Sequence, residues 1–210
     1  MTQAFSSVVL HSGGLDSSVC LLLAKESSPE VLSLGIDYGQ RHRIELEFAQ
    51  ALCNRLGIAR RILRVEWDKP QRTLPTSRNL DQIRAGISPG FLPGRNLVFL
   101  SLAVAQAATV GASLIWIGVN SRDFSGYPDC RLDFIESFQV AAREAVPGGA
   151  SVVAPLASMS KPEIAREAMR LGLQKGETWS CYLPRIDNGV ISACGICDAC
   201  VLEAHAWNSA

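Results

Sequence analysis

Short apolar runs alternate with helical patterns along most of this chain, and this alternation limits its fold more than any other feature. The runs typical of buried strands are 8–10, 31–36, 60–65, 114–117 and 151–154. The helical patterns between and after them cover 16–24, 44–56, 97–110, 134–145 and 160–171. Such a chain predicts an α/β fold, with a parallel five-stranded sheet and helices on both faces. Ligands of these sheets bind beyond the carboxyl ends of the strands.

The segment 66–95 is the longest interruption of the alternation. It sustains no helical or strand period, and four prolines and three glycines break it. A loop of that length in a compact domain predicts a functional or mobile segment. Asn96 is expected to cap the helix that follows. Ser160 and Glu163 have the spacing of a capping box at the start of the last predicted helix.

Gly13 and Gly14 stand between the first predicted strand and the first predicted helix. Glycine lets the backbone turn tightly and approach a ligand that a Cβ would hold away. Ser12, Ser17 and Ser18 add hydroxyl groups, and the start of the helix directs free N–H groups toward the loop. The segment therefore predicts a phosphate or pyrophosphate site, with a plain strand-to-helix turn as the alternative. Neither G-x-x-x-x-G-K-[ST] nor G-x-G-x-x-G is present.

Three cysteines with C-x2-C-x2-C spacing, Cys194, Cys197 and Cys200, stand near the end of the chain. Cys181 could supply a fourth thiol, because the residues before Cys194 suit a loop that folds back. Four thiolates form a closed tetrahedral zinc site. His205 is the competing fourth ligand, and an iron–sulfur cluster is the competing metal group.

Composition and charge narrow the possible partners. The chain has 210 residues, 48% of them apolar and 19% charged, with a formal net charge of zero and a pI of about 6.8. The chain has no net positive charge that would attract nucleic acid, so direct binding of RNA or DNA is not expected. Residues 1–7 lack the features of an export signal, and no apolar segment is long enough to span a bilayer. We therefore expect a cytoplasmic protein without membrane contact.

The stretch Ser-Gly-Gly-Leu-Asp-Ser at 12–17 resembles the PP-motif of the ATP pyrophosphatases, which cleave ATP to AMP and pyrophosphate. Further stretches narrow the resemblance, namely 37–42, 93–96, 123–130, and 179–182 with the three-cysteine run. In this order, and over nearly the whole chain, they resemble the 7-cyano-7-deazaguanine synthase family. The resemblance implies a PP-loop, HUP-like Rossmannoid domain over 1–175 and a four-cysteine zinc segment over 176–210. It also implies a homodimer.

A two-stage reaction follows from this resemblance. 7-Carboxy-7-deazaguanine is adenylated by ATP on its carboxylate, and ammonia displaces AMP to give an amide. A second ATP then activates the amide for dehydration to the nitrile. Such an enzyme must orient the acid, neutralise the departing pyrophosphate and exclude water from the adenylate.

The resemblance also implies roles for individual residues. Those expected around ATP are Leu10, His11, Ser12, Gly13, Gly14, Leu15, Asp16, Ser17, Ser18, Val19 and Cys20. Those expected to act in catalysis are Asp16, Arg95, Lys161 and Asp129. Those expected to contact the deazapurine acid are Arg41, Asp123, Tyr127 and Asp129.

Two metal ions are implied as well. Mg²⁺ is expected to bridge the pyrophosphate, with Asp16 or Asp123 as the nearby carboxylate. Zn²⁺ is expected on the four thiols, those of Cys181, Cys194, Cys197 and Cys200.

Departures from the family pattern leave other functions open. Glu203 stands where the family usually has an arginine, and His11 replaces an apolar residue. Both suit a homologue that adenylates a related deazapurine acid and passes it to another amine. A tRNA-thiolating ATP pyrophosphatase is a further alternative, although it would need a reactive cysteine pair and a basic RNA-binding face. The alternative that is not an enzyme is a nucleotide-binding adaptor, whose zinc knuckle would bind partner proteins.

Overall fold

The computed structural model of the protein describes residues 4–28, 30–66, 74–120 and 127–210. Its main sheet consists of β1 (Ser7–Leu10), β2 (Val31–Asp37), β3 (Ala59–Arg64), β4 (Leu114–Ile117) and β5 (Ser151–Val153). All four pairings are parallel, in the order β3-β2-β1-β4-β5. This confirms the predicted parallel five-stranded sheet.

The order of the strands reverses at β1. In the register, Val9 pairs with Ser33 of β2 on one side and with Trp116 of β4 on the other. The chain builds outward from β1 to β3 first, then returns to add β4 and β5 on the opposite side. The carboxyl ends of β1 and β4 therefore border a crevice, which is the usual ligand position in such sheets.

Seven α-helices lie within the described ranges, besides a short 3-10 helix at Pro128–Cys130. They are α1 (Leu15–Ser27), α2 (Ile44–Leu56), α3 (Leu80–Arg84), α4 (Arg95–Val110), α5 (Leu132–Ala145), α6 (Lys161–Arg170) and α7 (Asp198–Asn208). Val8 packs with α4 and α5 on one face of the sheet, and Val9 packs with α1 and α6 on the other. Both valines are fully buried, so the expected cover on both faces is confirmed. None of the helices in the described ranges is long and apolar enough to cross a bilayer.

Part of the segment predicted as a loop is helical. α3 begins after Asn79, whose side chain forms a capping box with Gln82, and Ile83 is buried beneath it. Arg78 Nε donates to Asp198 Oδ1 of α7 at 3.0 Å. A helix of five residues is too short to show a period in the sequence, so the pattern did not reveal it.

The start of α4 also differs from the prediction. Gly94, with φ 73°, precedes the helix, and Asn96 lies inside it rather than at its cap. The backbone N–H of Asn96 donates to Asp129 Oδ2 at 3.1 Å. The carboxylate of Asp129, from a distant part of the chain, thus caps the start of α4, as the Asn96 side chain was expected to do. The predicted capping box at Ser160 is confirmed.

The C-terminal segment contains two elements that no pattern predicted. β6 (Arg185–Asp187) and β7 (Val190–Ser192) form an antiparallel hairpin between Cys181 and Cys194. α7 follows and places Ala206, which is fully buried, in the same core as α1 and α6. The division of the chain at 175 stays a prediction.

Candidate functional site

The glycine turn, residues 12–17, connects β1 to α1 at the carboxyl edge of the sheet. Gly13 has φ +105°, and a Cβ there would lie 2.0 Å from the backbone oxygen of Glu45, so only glycine fits. Ser17 Oγ accepts from the backbone N–H of Ser12 at 3.2 Å. Gly14 precedes α1 and gives it no side-chain cap, so the first N–H groups of the helix can bind an anion.

Asp16 and Lys161 form an ion pair beside the glycine turn. Lys161 Nζ lies 2.5 Å from Asp16 Oδ2, and the two side chains are 13% and 21% exposed. The other carboxylate oxygen of Asp16, Oδ1, is buried and has no hydrogen-bond partner in the described part of the chain. A buried carboxylate oxygen is costly to leave unpaired. A hard cation or a donor group of a ligand therefore fits this position.

A cavity of about 290 Å³ lies at this edge of the sheet. Ser12, Asp16 and Lys161 form one part of its wall. Aromatic side chains form much of the rest, namely Tyr38, Phe99, Tyr127, Trp179 and Tyr182. A largely apolar cavity with a few converging polar groups is typical of a small-molecule site, and flat aromatic walls suit a planar heterocycle.

Arg95, the first residue of α4, is a second cation in the cavity wall. Burial lowers the pKa of its guanidinium, but the neighbouring Tyr38, Tyr182 and Cys130 outweigh that effect and raise the pKa above its usual value. Arg95 therefore stays charged at any physiological pH. A partly buried guanidinium with its fork of donors is suited to bind a carboxylate.

Most of the residues predicted around ATP meet at the cavity. Those that line it are Leu10, His11, Ser12, Gly14, Leu15, Asp16 and Ser17. Gly13 packs against the backbone of Glu45. Val19 and Cys20 instead point into the core, and Ser18 Oγ lies 3.1 Å from His11 Nε2 inside the protein.

Some of the residues predicted to act in catalysis or to bind the substrate line the cavity, and others do not. Those that line the cavity are Asp16, Arg95, Tyr127 and Lys161. Asp129 is buried outside it, where its carboxylate holds the start of α4. Arg41 is exposed and not part of the cavity wall. Asp123 lies outside the described residues.

Tyr38, Glu45 and Tyr182 are among the residues of the cavity wall that had no predicted role. Both tyrosines stand within the stretches that carry the family resemblance. Glu45 shares the buried face of α2 with Ala49 and Leu52. An acidic residue on an apolar helix face was the signal that could have revealed it.

The four predicted cysteines form a buried cluster. The sulfur atoms of Cys181, Cys194, Cys197 and Cys200 all lie within 4.8 Å of one another. The backbone N–H groups of Cys194 and Leu183 donate to Cys181 Sγ at 3.2 and 3.4 Å. Cys181, and not His205, is therefore the fourth member of the group. Four thiols at this spacing could hold a zinc ion.

Sequence comparison decides the family. The profile described as "Queuosine biosynthesis protein QueC" matches residues 6–210. The chain belongs to the QueC family. It is 52% identical to 7-cyano-7-deazaguanine synthase 2 of Rhodopseudomonas palustris, over 95% of each chain. It is 45% identical to 7-cyano-7-deazaguanine synthase of Novosphingobium aromaticivorans, over 97% of this chain and 90% of the relative.

Solved structures show that the QueC fold is shared more widely. The NH3-dependent NAD synthetase of Campylobacter jejuni matches 83% of this chain and 67% of its own, with a TM-score of 0.52 and 21% identity. The U34-tRNA thiolase NcsA of Methanococcus maripaludis matches 83% of this chain and 60% of its own, with a TM-score of 0.50 and 18% identity. At these identities the likeness concerns the fold alone.

Proposed function

We propose that this QueC protein makes 7-cyano-7-deazaguanine from 7-carboxy-7-deazaguanine and ammonia, using ATP through adenylated intermediates. The observation that carries the proposal is the cavity itself. It joins the glycine turn and the Asp16–Lys161 pair to a partly buried arginine and aromatic walls. The names of the two bacterial relatives support 7-cyano-7-deazaguanine as the product.

The phosphates of ATP are assigned to the glycine turn. The free N–H groups at the start of α1 face the triphosphate, and Lys161 offsets the negative charge that grows on the departing pyrophosphate. Asp16 would hold Mg²⁺ through its unpaired Oδ1. When bound, Mg²⁺ lowers the charge of the pyrophosphate leaving group.

The acid is assigned to the aromatic part of the cavity. Arg95 binds the carboxylate of the deazapurine and holds one of its oxygens toward the α-phosphate. Tyr127 and Tyr182 flank the planar ring. The aromatic walls limit the access of water, which would otherwise hydrolyse the adenylate.

The cysteine cluster is assigned to a structural Zn²⁺, because four thiolates leave no open coordination position. Its sequence neighbour Trp179 links it to the glycine turn. The backbone N–H of Trp179 donates to Gly13 O at 2.9 Å, and its ring N–H donates to Cys181 O at 3.0 Å. Zinc held by these cysteines would thus support the glycine turn through Trp179.

We expect the protein to form a homodimer. The hairpin β6–β7 exposes apolar side chains, with Ile186 73%, Val190 68% and Ile191 40% exposed. Apolar groups this exposed are typical of an interaction surface. Light scattering should give about twice the chain mass of 22.6 kDa. The single-chain mass at micromolar protein would contradict the dimer.

One incubation tests the proposed function. Purified protein is mixed with ATP, Mg²⁺, ammonium and 7-carboxy-7-deazaguanine, and products are identified by mass spectrometry. We expect AMP, pyrophosphate and the nitrile, each dependent on the acid. An amide formed with a different amine would favour the homologue that transfers the acid elsewhere. Absence of any acid-dependent AMP would reject the proposal.

A further inference from the structure

The side chain of Glu45 is part of the cavity wall. It belongs neither to the glycine turn nor to the Asp16–Lys161 ion pair. It lies in the first turn of α2 and is 7% exposed. Its Oε1 accepts from Gln40 Nε2 at 2.9 Å. Its Oε2 lies 3.5 Å from His42 Nε2. Because 3.5 Å is long for a hydrogen bond, Oε2 can still accept a proton from a ligand in the cavity.

We propose that Glu45 is the general base that removes the protons from the ammonia nitrogen, an inference that rests on the proposed function. As the nitrogen forms its bond to the acyl carbon, one N–H proton moves to the Glu45 carboxylate. The carbon–oxygen bond to AMP breaks, and its electron pair leaves on the phosphate oxygen. Amide, AMP and protonated Glu45 result, and Glu45 returns its proton to solvent.

The second stage needs the same base twice more. The amide nitrogen loses one proton as its oxygen attacks the α-phosphate of the second ATP and pyrophosphate departs. It loses the last proton as the carbon–nitrogen triple bond forms and AMP leaves with the electron pair of the carbon–oxygen bond. All three hydrogens of ammonia thus leave one nitrogen atom at one place, which favours a single fixed acceptor.

The charges around Glu45 suit this role. Burial, the largest effect, raises its pKa to about 7, against the hydrogen bond that it accepts and the charges of Arg95 and Arg60. Burial and then Arg95 lower the pKa of His42 to about 4, so this imidazole is neutral. Burial also raises the pKa of the nearby Tyr38, which stays protonated. Glu45 is therefore ionised above about pH 7, and a base with a pKa near the working pH is the most effective.

The variant Glu45→Gln tests the assignment, because the amide keeps the shape of the side chain and the contact with Gln40. Two reactions are measured: acid-dependent exchange of pyrophosphate into ATP without ammonia, and nitrile formation with ammonia. We expect exchange to stay within about threefold, because adenylation requires no base, and nitrile formation to slow by about 10² to 10³-fold. Glu47→Gln, an exposed acidic residue in the same turn of α2, is the matched control and should leave both unchanged.

The pH profile separates a base from a supporting side chain. With free ammonia held constant, nitrile formation by the unaltered protein should rise through about pH 7, because the ionised carboxylate is the active form. Glu45→Gln should lose that rise. An unchanged rate of nitrile formation, a retained rise, or an equal fall in exchange and nitrile formation would overturn the role of Glu45. If the unaltered protein shows no exchange of pyrophosphate into ATP, the proposed function itself is rejected. If it shows that exchange but Glu45→Gln behaves in one of these ways, only the role of Glu45 is rejected.

Discussion

Replacing Lys161 with methionine is expected to lower acid-dependent exchange of pyrophosphate into ATP by at least about 10²-fold. The reason is electrostatic. Lys161 Nζ lies 2.5 Å from Asp16 Oδ2 beside the glycine turn, where the triphosphate develops negative charge as pyrophosphate departs. A preorganised cation in a water-poor cavity acts most strongly on charge that grows in the transition state.

A stability measurement shows whether this loss comes from chemistry or from misfolding. Lys161→Met leaves a half-buried carboxylate unpaired, so the free energy of unfolding should fall by about 1–3 kcal/mol. Adding Asp16→Asn removes that carboxylate and should restore most of the stability. The double variant should still lack exchange, because both charged side chains beside the glycine turn are gone.

A second ion pair of the chain supplies the control. Arg170 and Glu26 pair on the surface, with both side chains 51% exposed. Arg170→Met removes one cation far from the cavity wall and should change neither exchange nor stability by much. Exchange within threefold of the unaltered protein in Lys161→Met would show that the ion pair does not contact the triphosphate.

The sequence predicted those parts of the fold that depend on local pattern. β4 begins and ends where its apolar run does, and the capping box at Ser160 forms as expected. Both signals lie within a few adjacent residues. By contrast, α3 and the hairpin β6–β7 are too short for any periodicity to reveal. The start of α3 also depends on a contact with a distant residue, since Arg78, just before it, donates to Asp198 of α7.

The site shows the same division between local and distant signals. The glycine turn was predicted because its chemistry stands in consecutive residues. The position of Asp129 was not, because nothing in the sequence near it indicates that its partner is Asn96. Glu45 was missed for a related reason, since its burial depends on where α2 packs against Gly13. Sequence motifs thus predicted the cavity wall around the glycine turn better than its remaining walls.

Replacing Cys197 with serine is expected to remove the bound zinc and to lower the free energy of unfolding by more than about 4 kcal/mol. Cys197 is fully buried, and its sulfur lies 3.5 Å from that of Cys200. Binding of a structural metal contributes directly to folding, because the unfolded chain has no preformed site. The measurements are metal content per chain and denaturant unfolding, with iron and visible absorption recorded to detect an iron–sulfur cluster.

The matched control is Cys20→Ser, since Cys20 is equally buried but belongs to α1 and packs in the core. It should cost about 1–3 kcal/mol for the buried hydroxyl, with one zinc per chain retained. If both variants lose stability but only Cys197→Ser loses metal, the ion and not the buried thiol explains the larger effect. Full zinc content in Cys197→Ser would contradict the four-cysteine site.

The same variant tests whether the metal supports the phosphate site. Trp179 connects the two, since it donates to Gly13 O with its backbone N–H and to Cys181 O with its ring. When the ion is lost, Cys181 is no longer fixed and that connection loosens. ATP affinity measured by calorimetry on folded Cys197→Ser, at a temperature well below its unfolding, should therefore fall, while that of Cys20→Ser should not. Equal affinities would show that the glycine turn keeps its geometry without the metal, and that zinc stabilises only the C-terminal segment.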